Sequence, residues 1–328
     1  MRSDPPEELL RQLRQAGEAV LFCHVAPDGD TLGSARALEL LLNALGWRTA
    51  MVVDGEVPAR LRFLPGLVLH RPEEWGMPEN AAAIAVDVSS PDRLGRAEAL
   101  YNAAARRWVI DHHGTNPCFG QINWVEGSAP ATAILVNRLY RALGVPLSRE
   151  AAICLYTALS TDTGNFVYDS VNGECFEMMA GLMEAGLPLA EVSRVLFREK
   201  REDFVRLLGV TLPSLRVTEG GSIAGLCTSL EHFRQNGLNP AETEGVVDYA
   251  IDIQGVCMAY YLHEQEENVT KVSFRALPLY RVDQVARRFG GGGHPQAAGC
   301  TLRMPAAQAV REVETALHQA LEEQKTHE

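Results

Sequence analysis

AVLFCHVAPDGD, residues 19–30, joins an unbroken apolar run to a turn carrying one histidine and two aspartates. The run AVLFCH (19–24) has the length and composition of a strand buried on both faces, and a helical stretch follows at about 34–45. Three runs of the same kind recur between helical stretches: RTAMVVD (48–54), AAAIAVD (81–87) and RWVID (107–111). Buried strands alternating with helices predict an α/β fold with a doubly wound parallel sheet. Ligands bind such sheets beyond the carboxyl ends of the strands, where the acidic turn after AVLFCH stands.

Helical patterns dominate from about 129 to 212, in ATAILVNRLYRALG, REAAICLYTALSTD and GECFEMMAGLMEAG. Ser128 reads as an N-cap, with Pro130 in the first turn. Near residue 200 the character changes. FREKREDFVRLLG reads as a charged connecting helix, and SIAGLCTSL (222–230), VCMAYYLHE (256–264) and VTKVSFRAL (269–277) read as strands. Helices at about 282–289 and 305–324 complete a second unit. The expected plan is a catalytic domain over 1–195, a linker-helix region over 196–219 and a smaller α+β domain over 220–328.

The chain has 328 residues, 46% hydrophobic and 22% charged, enough for two cored domains and too apolar for disorder. Thirty Lys and Arg against 42 Asp and Glu give a formal charge of −12. An acidic chain repels long duplex DNA but accepts a short anion where a metal or a few placed cations offset the charge. The seven cysteines are scattered, without a C-x-x-C pair, which argues against a disulfide framework or a thiolate zinc site. The N-terminal MRSDPPEELLRQLRQ lacks a signal-peptide core, and no run approaches the roughly 18 apolar residues of a membrane helix. The expected location is the cytoplasm, away from membranes, and a homo-oligomer is compatible with the sequence.

Four segments carry chemistry: HVAPDGD (24–30), Asp87 at the end of AAAIAVD, Asp111-His112-His113 at the end of RWVID, and Asp162 in TALSTDTGNF. In an extended segment Asp28 and Asp30 point the same way, about 7 Å apart by strand rise. Pro27 and Gly29 favour a turn that returns His24 toward Asp28. A solvated loop for the D-x-D pair and a helix cap for Asp87 are the competing readings. Consecutive histidines and an aspartate beside other carboxylates demand a compensating charge. Imidazole and carboxylate without thiolate suit Mn²⁺, Mg²⁺, Fe²⁺ or Co²⁺ better than structural zinc. Asp28, Asp30, Asp87 and Asp162 bring four negative charges, which two divalent cations balance. Such a pair of ions implies phosphoester hydrolysis.

In the second unit, RRFGGGGHPQAAGC (287–300) holds four consecutive glycines, Gly290, Gly291, Gly292 and Gly293, before His294. Glycines expose backbone N–H groups to anions, though a flexible loop is an equal reading. No G-K-[ST] follows, and the run succeeds a helix, so neither a Walker loop nor a dinucleotide fingerprint is present. Arg275 on VSFRA is either a phosphate partner or an exposed strand charge.

At these residues the sequence resembles the DHH phosphoesterase superfamily with its DHH-associated C-terminal domain. The matching stretches are HVAPDGDTLGS (24–34), AVDVSSPDR (85–93), VIDHHGT (109–115), TALSTDTGNF (157–166) and GGGGHPQAAG (290–299). Length and domain plan are similar to those of the two-domain bacterial nano-RNases. The resemblance implies hydrolysis of RNA about two to five nucleotides long and of 3′-phosphoadenosine 5′-phosphate, at an active site in the cleft between the domains. It implies two divalent cations, Mn²⁺ foremost. His24 and Asp28 would hold one, Asp30, His112 and Asp162 the other, and Asp87 would bridge. His113 would face the scissile phosphate, oriented by Asp111, while Arg275, the glycine run and His294 would grip the substrate's far end. Ser89, Ser90 and Arg93 are open between substrate contact and a turn leading into a helix. The alternatives are a cyclic- or linear-dinucleotide phosphodiesterase, a RecJ-like single-strand exonuclease and, from another class, a non-catalytic nucleotide sensor. The intact ligand set argues against the sensor, and the absence of room for an extra oligonucleotide-binding barrel argues against the exonuclease.

Overall fold

The apolar runs of the first half become strands β1 (Glu18–Phe22), β2 (Arg48–Val52), β3 (Ala82–Val86) and β4 (Arg106–Asp111), joined by β5 (Ile122–Val125). They form one parallel sheet in the order β2-β1-β3-β4-β5. A computed structural model describes residues 3–325, except the side chains of Glu219, His294 and Lys325. Within it the chain divides into two units, Met1–Glu199 and Lys200–Glu328.

Alternate residues of each strand enter separate cores, as a sheet covered on both faces requires. Leu21, Met51, Ile84 and Ile110 pack beneath α2 (Gly29–Ala44), α4 (Thr132–Leu143) and α5 (Arg149–Asp162), with α1 (Glu7–Leu13) and α6 (Gly173–Glu184) outside them. Val20, Phe22, Ala83, Ala85 and Val109 pack beneath Leu94, Ala97 and Tyr101, the last on α3 (Glu98–Ala103). A short helix, α7 (Leu189–Ser193), closes the unit. The expected doubly wound sheet is therefore what the chain forms. Strand order reverses between β1 and β3, the switch point at which such sheets open a crevice.

Three local expectations are corrected. Helix α2 begins at Gly29 rather than near 34, because Asp28 caps it. Helix α4 begins at Thr132, with Ala131 and not Ser128 at its N-cap position and no side-chain cap of its own. Strand β5 was not expected, because INWV is short and broken by Asn123.

The second unit starts with α8 (Glu202–Thr211), where a connecting helix was expected. Leu207 and Leu208 of α8 belong to this unit's own core. The strands β6 (Arg216–Thr218), β7 (Ile223–Thr228), β8 (Met258–Glu266), β9 (Val269–Ala276), β10 (Gly292–His294) and β11 (Ala297–Leu302) form a sheet in the order β10-β11-β9-β8-β7-β6. Only β7 and β8 run parallel. Helices α8, α9 (Leu230–Asn236) and α10 (Asp248–Ile251) cover one face, and α11 (Asp283–Arg288) and α12 (Ala306–Lys325) the other. Among the described residues no helix is long and apolar enough to cross a membrane.

Helix α4 is anchored by an ion network. Arg138, 5% exposed, gives two hydrogen bonds to Glu126 beyond β5, at 2.7 and 3.0 Å, and two to Glu174 of α6, at 2.8 and 2.6 Å. Removing one member strands the others as buried charges. Arg138→Ala should therefore cost about 3–5 kcal/mol in chemical denaturation. A loss under about 1 kcal/mol would place the network in the range of exposed ion pairs.

Candidate active site

The four chemically marked segments converge beyond the carboxyl ends of β1, β3 and β4. His24 leaves β1, and Ala26 turns the chain through a left-handed backbone (φ 52°). Asp28 then caps α2, its Oδ1 accepting from the N–H groups of Asp30 and Thr31 at 3.0 and 3.1 Å. Asp30 thus stands in the first helical turn, not on an extended segment. Helix α5 brings the fourth segment in by close packing. A Cβ on Gly29 would come within 2.2 Å of Thr161 Oγ1, and one on Gly33 within 2.4 Å of the Cys154 carbonyl. Two missing side chains let α2 and α5 touch, and Asp162 follows Thr161 into the site.

Asp87 ends β3 in the left-handed region (φ 58°), a strained backbone for a residue with a Cβ. Its N–H donates to Ile110 O at 2.9 Å, which ties the strained residue to β4. At the end of β4, Asp111 turns inward. Its carboxylate accepts from the His112 N–H at 2.8 Å, from His113 Nδ1 at 2.8 Å and from Asn116 Nδ2 at 2.6 Å. Asp111 therefore orients rather than ligates.

The imidazoles are fixed by their other nitrogen. His24 Nδ1 lies 2.7 Å from Val25 O, and His112 Nδ1 lies 3.0 Å from Ala129 O. A carbonyl only accepts, so each Nδ1 carries the hydrogen and each Nε2 offers a lone pair. Those lone pairs face carboxylates. His24 Nε2 is 3.6 Å from Asp28 Oδ2 and 3.8 Å from Asp87 Oδ2. His112 Nε2 is 3.2 Å from Asp162, 3.6 Å from Asp87 Oδ1 and 3.7 Å from Asp30 Oδ2. Acceptors aimed at acceptors need a cation between them.

The titration directions agree. Burial, then the charges of Asp30, Asp28, Asp162 and Asp111, pushes the Asp87 carboxyl well above the usual range. Burial and the Asp30 charge push Asp162 up to about 7. Burial likewise raises Asp30, against the pull of His112. Burial works against protonation of His112, but Asp30 and Asp162 outweigh it and raise its pKa. Burial also opposes ionisation of Asp28 and Asp111, yet His24 and His113 hold both below the usual range. The site lacks positive charge.

Three groups place one ligand atom from each member within 4.8 Å of the others: His24 with Asp28 and Asp87, Asp30 with His112 and Asp162, and Asp87 with His112 and His113. Asp87 and His112 are the members shared between groups. The donor set therefore fits divalent cations.

Sequence reasoning missed the groups that hold the ligands. Asn116, which also donates to Val88 O at 2.8 Å, and Ser34, which donates to Asp30 at 2.7 Å, carry no signal of their own in a single sequence. Arg93 sits beside the site, its Nη2 3.2 Å from His24 Nδ1 and donating to Val25 O at 3.3 Å. Ser90 precedes a 3₁₀ segment, Pro91–Ala97, without a side-chain cap.

In the second unit the expected glycine loop is largely a β-hairpin. Gly292–His294 pairs antiparallel with Ala297–Gly299. Gly291 and Gly293 serve strand packing, because a Cβ on either would lie 2.1 Å from Gly299 O or 2.5 Å from Ala297 O. The backbone register runs His294, Ala297, Arg275 across three strands. Arg275 Nε lies 3.2 Å from Asp248 Oδ1, and the side chain of His294 lies outside the described residues.

Residues 18–159 match the DHH family, N-terminal domain, and residues 223–323 match the DHHA1 domain. A Thermus thermophilus protein named bifunctional oligoribonuclease and PAP phosphatase NrnA is 33% identical over 290 residues, 88% of this chain and 85% of that one. A Bacillus subtilis protein of the same name is 25% identical, over 90% of this chain and 92% of its own. An exopolyphosphatase-related protein from Bacteroides fragilis superposes with a TM-score of 0.89 at 25% identity, covering 97% of both chains.

The raised carboxyls fix a pH dependence. Without metal, the folded site keeps protons that the unfolded chain has lost, so stability falls as pH rises from about 4 towards 7, the window of Asp162. A cation displaces those protons. Mn²⁺ titrations in buffers of different ionisation heat should show more protons released per protein at pH 6 than at pH 8. Equal release at both would contradict the protonated, metal-free cluster.

Proposed function

The chain belongs to the DHH family of phosphoesterases, and from that premise we propose that it hydrolyses very short oligoribonucleotides, about two to five nucleotides long, and 3′-phosphoadenosine 5′-phosphate. The observation that carries this reading is the set of imidazole Nε2 atoms directed at carboxylates beyond the strand ends, two of them, Asp30 and Asp87, buried. The names of the Thermus and Bacillus relatives support the substrate class. With that substrate class, the cytoplasm is the location this reading implies.

We assign His24, Asp28 and Asp87 to one divalent cation and Asp30, His112 and Asp162 to a second, with Asp87 shared and Mn²⁺ the first ion to test. When bound, such a pair supplies acidity for an attacking water and positive charge against the phosphoryl oxygens. The chain does the rest. Asp111 holds Nδ1–H of His113 at 2.8 Å and leaves Nε2 to meet the substrate. That Nε2–H donates its proton to the leaving oxygen, and the Asp111 carboxylate stabilises the imidazolium before transfer. The buried carboxylates keep the ligand atoms fixed while charge shifts onto the leaving group. In the second unit Arg275, the Gly290–Gly293 segment and His294 bind the phosphate or nucleotide away from the reacting bond.

A matched panel tests the substrate class: RNA of two, three, five and twenty-four nucleotides, 3′-phosphoadenosine 5′-phosphate, and linear and cyclic dinucleotides, all with Mn²⁺. Fast turnover of the shortest RNAs and the bisphosphate, with little on the longest RNA, is expected. Preference for the twenty-four-nucleotide RNA would overturn the reading in favour of a processive single-strand exonuclease, and preference for cyclic dinucleotides in favour of a cyclic-dinucleotide phosphodiesterase.

The two units should separate kinetically. Asp87→Ala should abolish turnover, whereas His294→Ala and Arg275→Ala should raise KM mainly, because they touch substrate away from the reacting bond. An unchanged KM in both would remove the hairpin and the Arg275 strand from the substrate site.

A further inference from the structure

Asp30 and Asp87 are the most enclosed of the carboxylates that face the imidazole Nε2 atoms, 1% and 2% exposed, and they come from different segments of the chain. One residue holds both. Thr132, fully buried at the start of α4, donates its backbone N–H to Asp30 Oδ2 at 2.7 Å and its hydroxyl to Asp87 Oδ1 at 3.0 Å. The next N–H, of Ala133, donates to Asp30 Oδ1 at 3.2 Å. Helix α4 has no side-chain cap of its own. The Asp30 carboxylate, carried on α2, takes that place and meets the positive end of the helix.

We propose that Thr132 is a positioning residue that fixes Asp30 and Asp87 relative to each other and thereby sets the affinity of the centre for divalent cations. This rests on reading the cluster as a cation site. Left alone, two buried carboxylates repel and rotate apart. The hydroxyl occupies one lone pair of Asp87 Oδ1, the oxygen that also lies 3.6 Å from His112 Nε2 and 3.6 Å from His113 Nδ1. It fixes the plane of the carboxylate and leaves Oδ2 turned to His24. Both donors belong to one residue, so the placement of Asp30 relative to Asp87 is built into the first turn of α4. Arg138, further along the same helix, ties α4 to Glu126 and Glu174.

The test is Mn²⁺ binding to substrate-free protein, read from the free-ion paramagnetic resonance signal, alongside thermal melts. Thr132→Val keeps shape and loses the donor, and Thr132→Ser keeps the donor and loses a methyl group. Loss of such a supporting hydrogen bond weakens metal binding by roughly 10- to 100-fold. The valine variant should show that loss, and the serine variant should stay within about threefold of wild type on the same scale. Equal affinity of the valine variant and wild type would overturn the positioning role, as would equal weakening by both variants. If the valine variant fails to fold, Thr132→Ala, which also removes the hydroxyl donor, replaces it under the same criteria. Wild-type protein that binds no Mn²⁺ would overturn the cation-site reading itself, a result distinct from either variant outcome.

Discussion

The first domain is arranged around one electrostatic conflict: imidazole lone pairs and carboxylate oxygens face each other in one crevice at the strand ends. Neither partner offers a proton in its anchored form, since each Nδ1 has committed its hydrogen to a backbone carbonyl. Protons relieve the conflict weakly and divalent cations relieve it strongly. The upward displacement of Asp30, Asp87 and Asp162 is the same conflict seen as titration. A fold that tolerates this arrangement is paying in stability for a centre that becomes favourable only when positive charge arrives.

The scaffold supplies the conflict through its topology. The reversal of strand order between β1 and β3 opens the crevice, and β4 brings the histidine pair beside it. Close contact of α2 and α5 at Gly29 and Gly33 carries Asp162 in from a helix end. Helix α4 then closes the ring, its first N–H groups directed at Asp30. The strained backbone of Asp87 fits this scheme, because a relaxed strand end would turn its side chain away from the shared position.

Much of this was legible in the sequence. Strands β1 to β4 announced themselves as continuous apolar runs, and the ends of β1, β3 and β4 bore residues that the structure brings together. Period and composition carry such information because burial on both faces leaves a plain signature. What stayed hidden depends on contacts between distant segments. The cap of α4 is a side chain about a hundred residues away, so Ser128 was the best local guess. The packing role of Gly29 required knowing that Thr161 lies against it, where sequence suggested a turn. The glycine run in the second domain looked like a loop because its strand character comes from pairing with Ala297–Gly299 and not from propensity.

Anomalous diffraction at the manganese edge, from crystals grown with Mn²⁺ near neutral pH, tests the central claim most directly. Two strong peaks are predicted, about 3.5–4 Å apart as in two-metal sites, one among His24, Asp28 and Asp87 and the other among Asp30, His112 and Asp162. No peak within the cluster, or a single ion bound only by exposed carboxylates, would contradict the account.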